Sequence, residues 1–250
     1  MITLMVNKNK SKVLVSFFIA MLCGLFICAV SSCGKGGNAS SIGLNTQFQI
    51  VNLSPDIQPV YLYQHFIRYN TTTYTYPNSS GYFYLSTLEP PLQLRTATAA
   101  PVILLQFDTT LKANRKYTMF ITGFRKDSSF VSSFILSDST GLPAIGKGKV
   151  RFVHTSPNTS ALDLRANDTL VVRGTTFNKV SKYVELTAGN YNFTITTTRT
   201  PTTIETTLQN VTIQDGRAYT IYTKGIVGSA DSLAFGAGVL TNNLLSKTLQ

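Results

Sequence analysis

Two blocks of this chain recur at a single spacing. Phe48–Asp56, FQIVNLSPD, matches Val150–Asn158, VRFVHTSPN, and Leu111–Gly123, LKANRKYTMFITG, matches Ile213–Gly225, IQDGRAYTIYTKG. Pro55 and Pro157, Tyr117 and Tyr219, and Gly123 and Gly225 all stand 102 residues apart. One offset shared by two distant blocks indicates a duplication, and a period of that length is a whole domain rather than a solenoid unit. The middle agrees less closely, with Leu92 and Leu94 matching Phe193 and Ile195 at an offset of 101. The sequence thus divides into a first repeat, 48–140, and a second, 149–245. The join Thr140–Gly148, TGLPAIGKG, is short enough to limit the relative motion of the two without freezing it.

Within each repeat the segments read as strands. Phe48/Ile50, Val60/Leu62 and Leu162/Leu164 alternate with other residues at period two. Thr, Val, Tyr, Phe and Ile dominate stretches such as TTYTYPNSSGYFYL and NYNFTITTT, punctuated by Pro and Gly. No segment after Cys33 sustains a capped helical period. Roughly seven short strands per hundred residues predict an all-β chain of two tandem β-sandwiches. Hydrophobic content of 43% against 13% charge supplies a core and excludes global disorder.

The first 32 residues follow the grammar of an export signal. Lys8, Lys10 and Lys12 precede an apolar run, Val13–Val30, and then Ser31, Ser32 and Cys33. A retained membrane helix is the rival reading, since 18 residues of helix span ~27 Å. Cysteine placement favours cleavage: Cys23 and Cys28 fall within the run, Cys33 falls at its end, and no cysteine follows. The stretch Val30-Ser31-Ser32-Cys33 resembles the lipobox of bacterial lipoproteins, with Val30 where leucine is usual and Ser32 where glycine or alanine is usual. That resemblance implies a signal peptide over 1–32, lipidation of Cys33, and a membrane as partner through the lipid. Residues 33–47, with their Gly, Ser and Asn, then read as a flexible tether.

The second repeat, through VRFVHTSPNTSALDL and YVELTAGNYNFTI, looks like the family catalogued as domain of unknown function 4397. The match is strongest at His154-Thr155-Ser156-Pro157 and Ala188-Gly189-Asn190-Tyr191. The first repeat departs from it, with Asn52 at the histidine position and Pro90-Pro91 near the Ala-Gly turn. The resemblance implies tandem immunoglobulin-like sandwiches in an envelope protein, often a lipoprotein, and implies no activity.

The candidate chemistry is sparse. His154 shares the apolar face of Val150 and Phe152, and Asn52 fills its slot in the first repeat. Both residue types can satisfy a turn backbone, and a metal ligand or general base would not tolerate the exchange, so Asn52, Pro55, His154 and Pro157 read as a structural motif. His65 has no counterpart and no neighbouring cysteine, which argues against a metal site. Asp163 reads as a solvated strand residue. The 11 acidic residues show no catalytic pairing, and nucleophile-elbow, zinc-protease and phosphate-loop motifs are absent. No cofactor and no enzyme activity are expected. Beyond Cys33 the chain keeps 19 of its 22 basic residues, scattered rather than striped, so no nucleic-acid partner is expected.

Tyr69, Tyr74, Tyr76, Tyr82 and Tyr84 form the best candidate binding strip, since tyrosine offers flat apolar area with a polar tip. Asp108-Thr109, Asp138-Ser139, Asp168-Thr169 and Asp231-Ser232 resemble O-glycosylation sites of Bacteroidetes envelope proteins, with Thr109, Ser139, Thr169 and Ser232 as acceptors. The functional expectation is a non-enzymatic, membrane-anchored lipoprotein of the cell envelope, at the outer membrane, acting as a structural or interaction module. A glycan-binding lipoprotein using the tyrosine strip is the alternative, so the partner is an envelope glycan or protein.

Overall fold

The computed structural model describes residues 44–125, 131–200 and 204–242. The signal peptide, Cys33 and the tether up to residue 43 lie outside those residues. The described residues form one compact unit.

The described chain is all-β apart from a short 3₁₀ turn, Asp231–Leu233. The first repeat contributes β1 (Asn45–Asn52), β2 (Val60–Gln64), β3 (Ile67–Arg68), β4 (Phe83–Ser86), β5 (Leu92–Thr96), β6 (Ile103–Phe107), β7 (Lys116–Thr122) and β8 (Ser132–Ser137). The second contributes β9 (Lys147–His154), β10 (Leu162–Ala166), β11 (Thr169–Thr175), β12 (Lys179–Val180), β13 (Val184–Thr187), β14 (Gly189–Thr197), β15 (Ile204–Ile213), β16 (Ala218–Lys224) and β17 (Gly236–Asn242). Each described sheet draws its strands from one repeat. Sheet β4-β1-β7-β8 shares a core with sheet β3-β2-β5-β6, where Phe48, Ile50, Met119 and Ile121 meet Val60, Leu62, Leu92 and Leu94. In the second repeat, β12-β9-β16-β17, with β13 also on β9, shares a core with β11-β10-β14-β15 through Val150, Phe152, Ile221, Leu162, Leu164, Phe193 and Ile195. Two sheets closing on one apolar core make a β-sandwich in each repeat.

The recurring blocks turn out to be one ladder. β1 pairs in parallel with β7, Phe48 opposite Tyr117, and β9 pairs in parallel with β16, Val150 opposite Tyr219. Side chains lock both ladders in the same way. Ser54 donates through its hydroxyl to the Gly123 carbonyl at 2.7 Å, and Ser156 donates to Gly225. The Tyr117 hydroxyl accepts the Lys112 N–H at 3.2 Å, and that of Tyr219 accepts Gln214 at 3.0 Å. Gly123 and Gly225 sit at φ 81° and 72°, and a Cβ on Gly225 would meet the Ala234 carbonyl oxygen at 2.1 Å. Glycine at that position is thus required twice over.

Along β1 the period-two pattern holds at first and then gives way to continuous burial. The reason is a second apolar surface. Val51, Leu53 and Phe120 of the first repeat pack against Val153 and Tyr222 of the second. Beside this cluster runs a buried polar join. The Arg151 guanidinium pairs with Asp138, donates to the Ser137 carbonyl at 2.9 Å and donates to the Thr220 hydroxyl at 2.9 Å. The Asp138 carboxylate also accepts the hydroxyls of Thr118 at 2.6 Å and Tyr82 at 2.9 Å. Asn242 closes the circuit by donating to Tyr82 at 2.9 Å and accepting from Thr220 at 2.7 Å. Both ionic side chains are almost wholly buried. Burial pushes the Asp138 carboxyl above its ordinary range, while Arg151, Thr118 and Tyr82 pull it back. The join expected to leave some freedom is thus packed on both its apolar and its polar side.

Candidate functional site

The β2–β3 hairpin closes with two loop residues, since Gln64 pairs with Ile67. His65 and Phe66 occupy that loop at φ 47° and 66°. A two-residue turn of this kind needs the left-handed region at both positions, which Asn, Asp and Gly tolerate and a bulky aromatic does not. The duplicated hairpin between β10 and β11 makes the same turn with Asn167 at φ 44° and Asp168 at φ 65°. The second repeat therefore uses residues suited to the turn, and the first keeps Phe66 there at a conformational cost of about 1–3 kcal/mol.

That tip lies at an end of the first repeat where several exposed apolar side chains occur on linked segments. Phe66 is 57% exposed, Ile67 71%, Leu88 64%, Tyr84 64% and Leu44 43%. Short polar links hold these segments together. Leu44 accepts the Thr87 N–H at 2.8 Å, Gln64 donates to the Ser86 carbonyl at 2.7 Å, and the His65 N–H donates to the Pro91 carbonyl at 3.0 Å. Tyr69 donates its hydroxyl to the Tyr84 carbonyl. Between the elements opens a cleft of about 480 Å³ lined by Asn45, Gln64, Arg68, Tyr69, Tyr84 and Glu89 among others. Phe66, Ile67, Leu44 and Leu88 escaped the reading of the sequence. The signal was present, because His65-Phe66 aligns at the common offset with Asn167-Asp168.

The five tyrosines of the expected strip do not form one surface. Tyr74 is a core residue, its hydroxyl held by Asn70 at 2.6 Å and its pKa pushed up to about 12, first by burial. Tyr82 belongs to the join, and burial and then the Asp138 charge raise its pKa. Tyr76 is half-buried, with its pKa raised by burial. Only Tyr69 and Tyr84 line the cleft. A contiguous binding strip does not form, because the connection between β3 and β4 buries Tyr74 in the first core and carries Tyr82 to Asp138 at the join, leaving Tyr69 and Tyr84 at the cleft.

His154 ends β9 with no exposed surface. One ring nitrogen, Nε2, lies 3.2 Å from the Ser160 carbonyl, and Nδ1 lies 3.3 Å from the Thr223 hydroxyl. That hydroxyl also accepts the N–H groups of Thr155 at 2.9 Å and Ser156 at 3.1 Å. The partners define a neutral imidazole that donates from Nε2 and accepts at Nδ1. Burial lowers its pKa to about 4, against the smaller opposing effect of the Ser160 and Thr159 backbones. In the first repeat Asn52 holds the same bend, accepting the Ser54 N–H at 3.1 Å and donating to the Tyr74 carbonyl at 3.2 Å. Pro55 and Pro157 follow these turns, the first half-buried and the second buried. Asp163, expected in solvent, is buried on β10 and accepts the Gly174 N–H at 2.7 Å and the Thr198 hydroxyl at 2.6 Å. The sequence missed it because β11 bulges over that carboxylate. Among the described residues, no three His, Cys, Asp or Glu side chains gather as a metal would need.

Of the four hydroxyl acceptors, Thr109, Thr169 and Ser232 are exposed. Ser139 differs: it is half-buried, its oxygen accepts the Lys116 N–H at 2.9 Å, and the preceding Asp138 is consumed by Arg151.

Comparison with known proteins adds a family and little more. A family model described as a domain of unknown function, DUF4397, matches residues 46–165 and again 148–245. Both repeats are covered, including the first with its Asn52 and Pro90-Pro91 departures. No curated protein matches the chain. Among solved structures, the Bacillus anthracis TIE protein aligns at 9% identity and a TM-score of 0.21, over 80% of this chain and 43% of that one. The chain thus spans less than half the length of that protein, and the low score lends no support to a shared fold.

Proposed function

This chain belongs to the family of domain of unknown function 4397, in tandem, and from that premise we propose that it is a non-enzymatic cell-envelope lipoprotein serving as a structural or interaction module. Lipid on Cys33 anchors it to the outer membrane. The observation that carries the reading is the buried join. Asp138, Arg151, Tyr82, Thr118, Thr220 and Asn242 bond mutually across the two repeats, so the charged and polar groups a reaction centre would need are committed to holding one sandwich against the other. A body of fixed geometry on a lipid anchor suits presentation or spacing of partners.

Fractionation of cells tests the anchor. With Cys33→Ser, the protein is expected to leave the membrane fraction or to persist as an uncleaved precursor. Full retention of a processed Cys33→Ser chain in the membrane contradicts the reading. A glycan-binding version keeps one supporting observation, the cleft in which Tyr69 and Tyr84 sit beside Gln64, Arg68 and Glu89. A glycan array with the intact protein separates the two, since only this version expects specific sugar binding.

A further inference from the structure

We propose that the apolar end of the first repeat rests on the lipid bilayer, with Phe66 and Ile67 entering the headgroup region. The inference builds on the lipid-anchored reading and names what that end of the molecule touches. Three observations meet there. The first is the hairpin tip itself. The first repeat holds His65-Phe66 in a turn for which the second supplies Asn167-Asp168, so an exposed aromatic is kept against the preference of the backbone. The second is what surrounds it. Leu44, Ile67, Tyr84 and Leu88 are also exposed, on segments that hydrogen bonds hold to this hairpin and to one another, and exposed apolar area gathered at one end marks an interaction surface.

The third is where the chain enters. Leu44 is tied to Thr87 beside Leu88, and only ten residues separate Leu44 from Cys33. Ten residues reach at most about 36 Å fully extended. A lipid on Cys33 would hold this end near the bilayer at high effective concentration, so the patch needs only weak intrinsic affinity. The charge at this end is mixed, with Arg68 and Glu89 lining the same cleft, so the inference rests on the apolar residues and the tether. The hairpin tip of the second repeat is polar, so the geometry selects one end.

The chain lacks tryptophan, so a single Phe66→Trp substitution reports on this position alone. The full-length protein is extracted from membranes and reconstituted into vesicles of phosphatidylcholine and phosphatidylglycerol, with or without brominated acyl chains. Brominated lipid is expected to quench the residue-66 indole by about twofold or more and to leave a Val180→Trp reporter on the second repeat nearly unchanged. In a Leu88→Trp background, His65→Asn with Phe66→Asp is expected to keep or raise Tm while reducing quenching several-fold. Protein that floats with vesicles but shows no quenching at residue 66 overturns the inference and leaves the anchor standing. A blue-shifted, unquenched indole means that residue 66 is covered by protein rather than lipid and overturns it equally. A fall in Tm for the double variant overturns the strain on which the inference stands. Protein that does not float overturns both the anchor and the inference.

Discussion

Asp138→Ala is expected to cost about 3–5 kcal/mol in urea melts, because it leaves the buried Arg151 guanidinium without its counter-charge. The loss exceeds one ion pair in scope. Thr118 and Tyr82 lose their acceptor at the same moment, and Asn242 loses the orientation of the hydroxyl to which it donates. Replacing both charges behaves differently: Asp138→Leu with Arg151→Met is expected to recover part of the loss, since removing the pair together avoids the unpaired charge while the Thr118 and Tyr82 hydroxyls stay without their acceptor. The single variant should also loosen the repeats, so that calorimetry resolves two transitions where the parent shows one. A parent that already melts in two independent steps, or an Asp138→Ala variant of unchanged stability, contradicts the role assigned to the join.

The second large effect is a pH dependence carried by His154. Its pKa falls from the ordinary 6.5 to about 4 in the folded chain, so folding favours the neutral ring. The unfolded chain then binds a proton that the folded chain refuses. Stability from this group is fully present above pH 6.5 and is lost as the pH falls from there toward 4, by roughly 3 kcal/mol in total. His154→Asn should flatten that part of the profile, and both proteins keep Asp138, so their difference isolates the histidine. At neutral pH the Asn variant is expected to cost about 1 kcal/mol or less, because Asn52 already performs the equivalent task, whereas His154→Ala leaves buried groups unpartnered and costs about 1–3 kcal/mol. Parallel profiles for parent and His154→Asn between pH 7 and 4.5 would remove the buried-neutral assignment.

What the sequence revealed and what it concealed follow from the range of the interactions involved. The two recurring blocks are legible because β1 and β7 hold each other, as do β9 and β16, through the same serine, tyrosine and glycine devices. Selection on one parallel ladder preserves both segments together. The all-β class is legible for a related reason, as period-two burial is a local property seen cleanly in β2. The join is of another kind. Tyr82, Asp138, Arg151 and Asn242 are ordinary surface residues taken singly, and only tertiary packing brings them together. Hence Tyr82 read as part of a binding strip and Asp138-Ser139 as a modification site. Val51 and Leu53 are of the same kind, since only the second sandwich explains why their outer face is covered. The hairpin tip lies between these cases. Its strain is invisible in His65-Phe66 alone and visible once Asn167-Asp168 is set beside it.

The intact mass of the protein extracted from native membranes reports whether this two-sandwich body is carried on lipid at Cys33. The expected mass is that of a chain beginning at Cys33 and heavier than its residues by a thioether-linked diacylglycerol and an amide-linked acyl chain. A mass equal to the unmodified 250-residue chain, with the Val13–Val30 segment still attached, would contradict it.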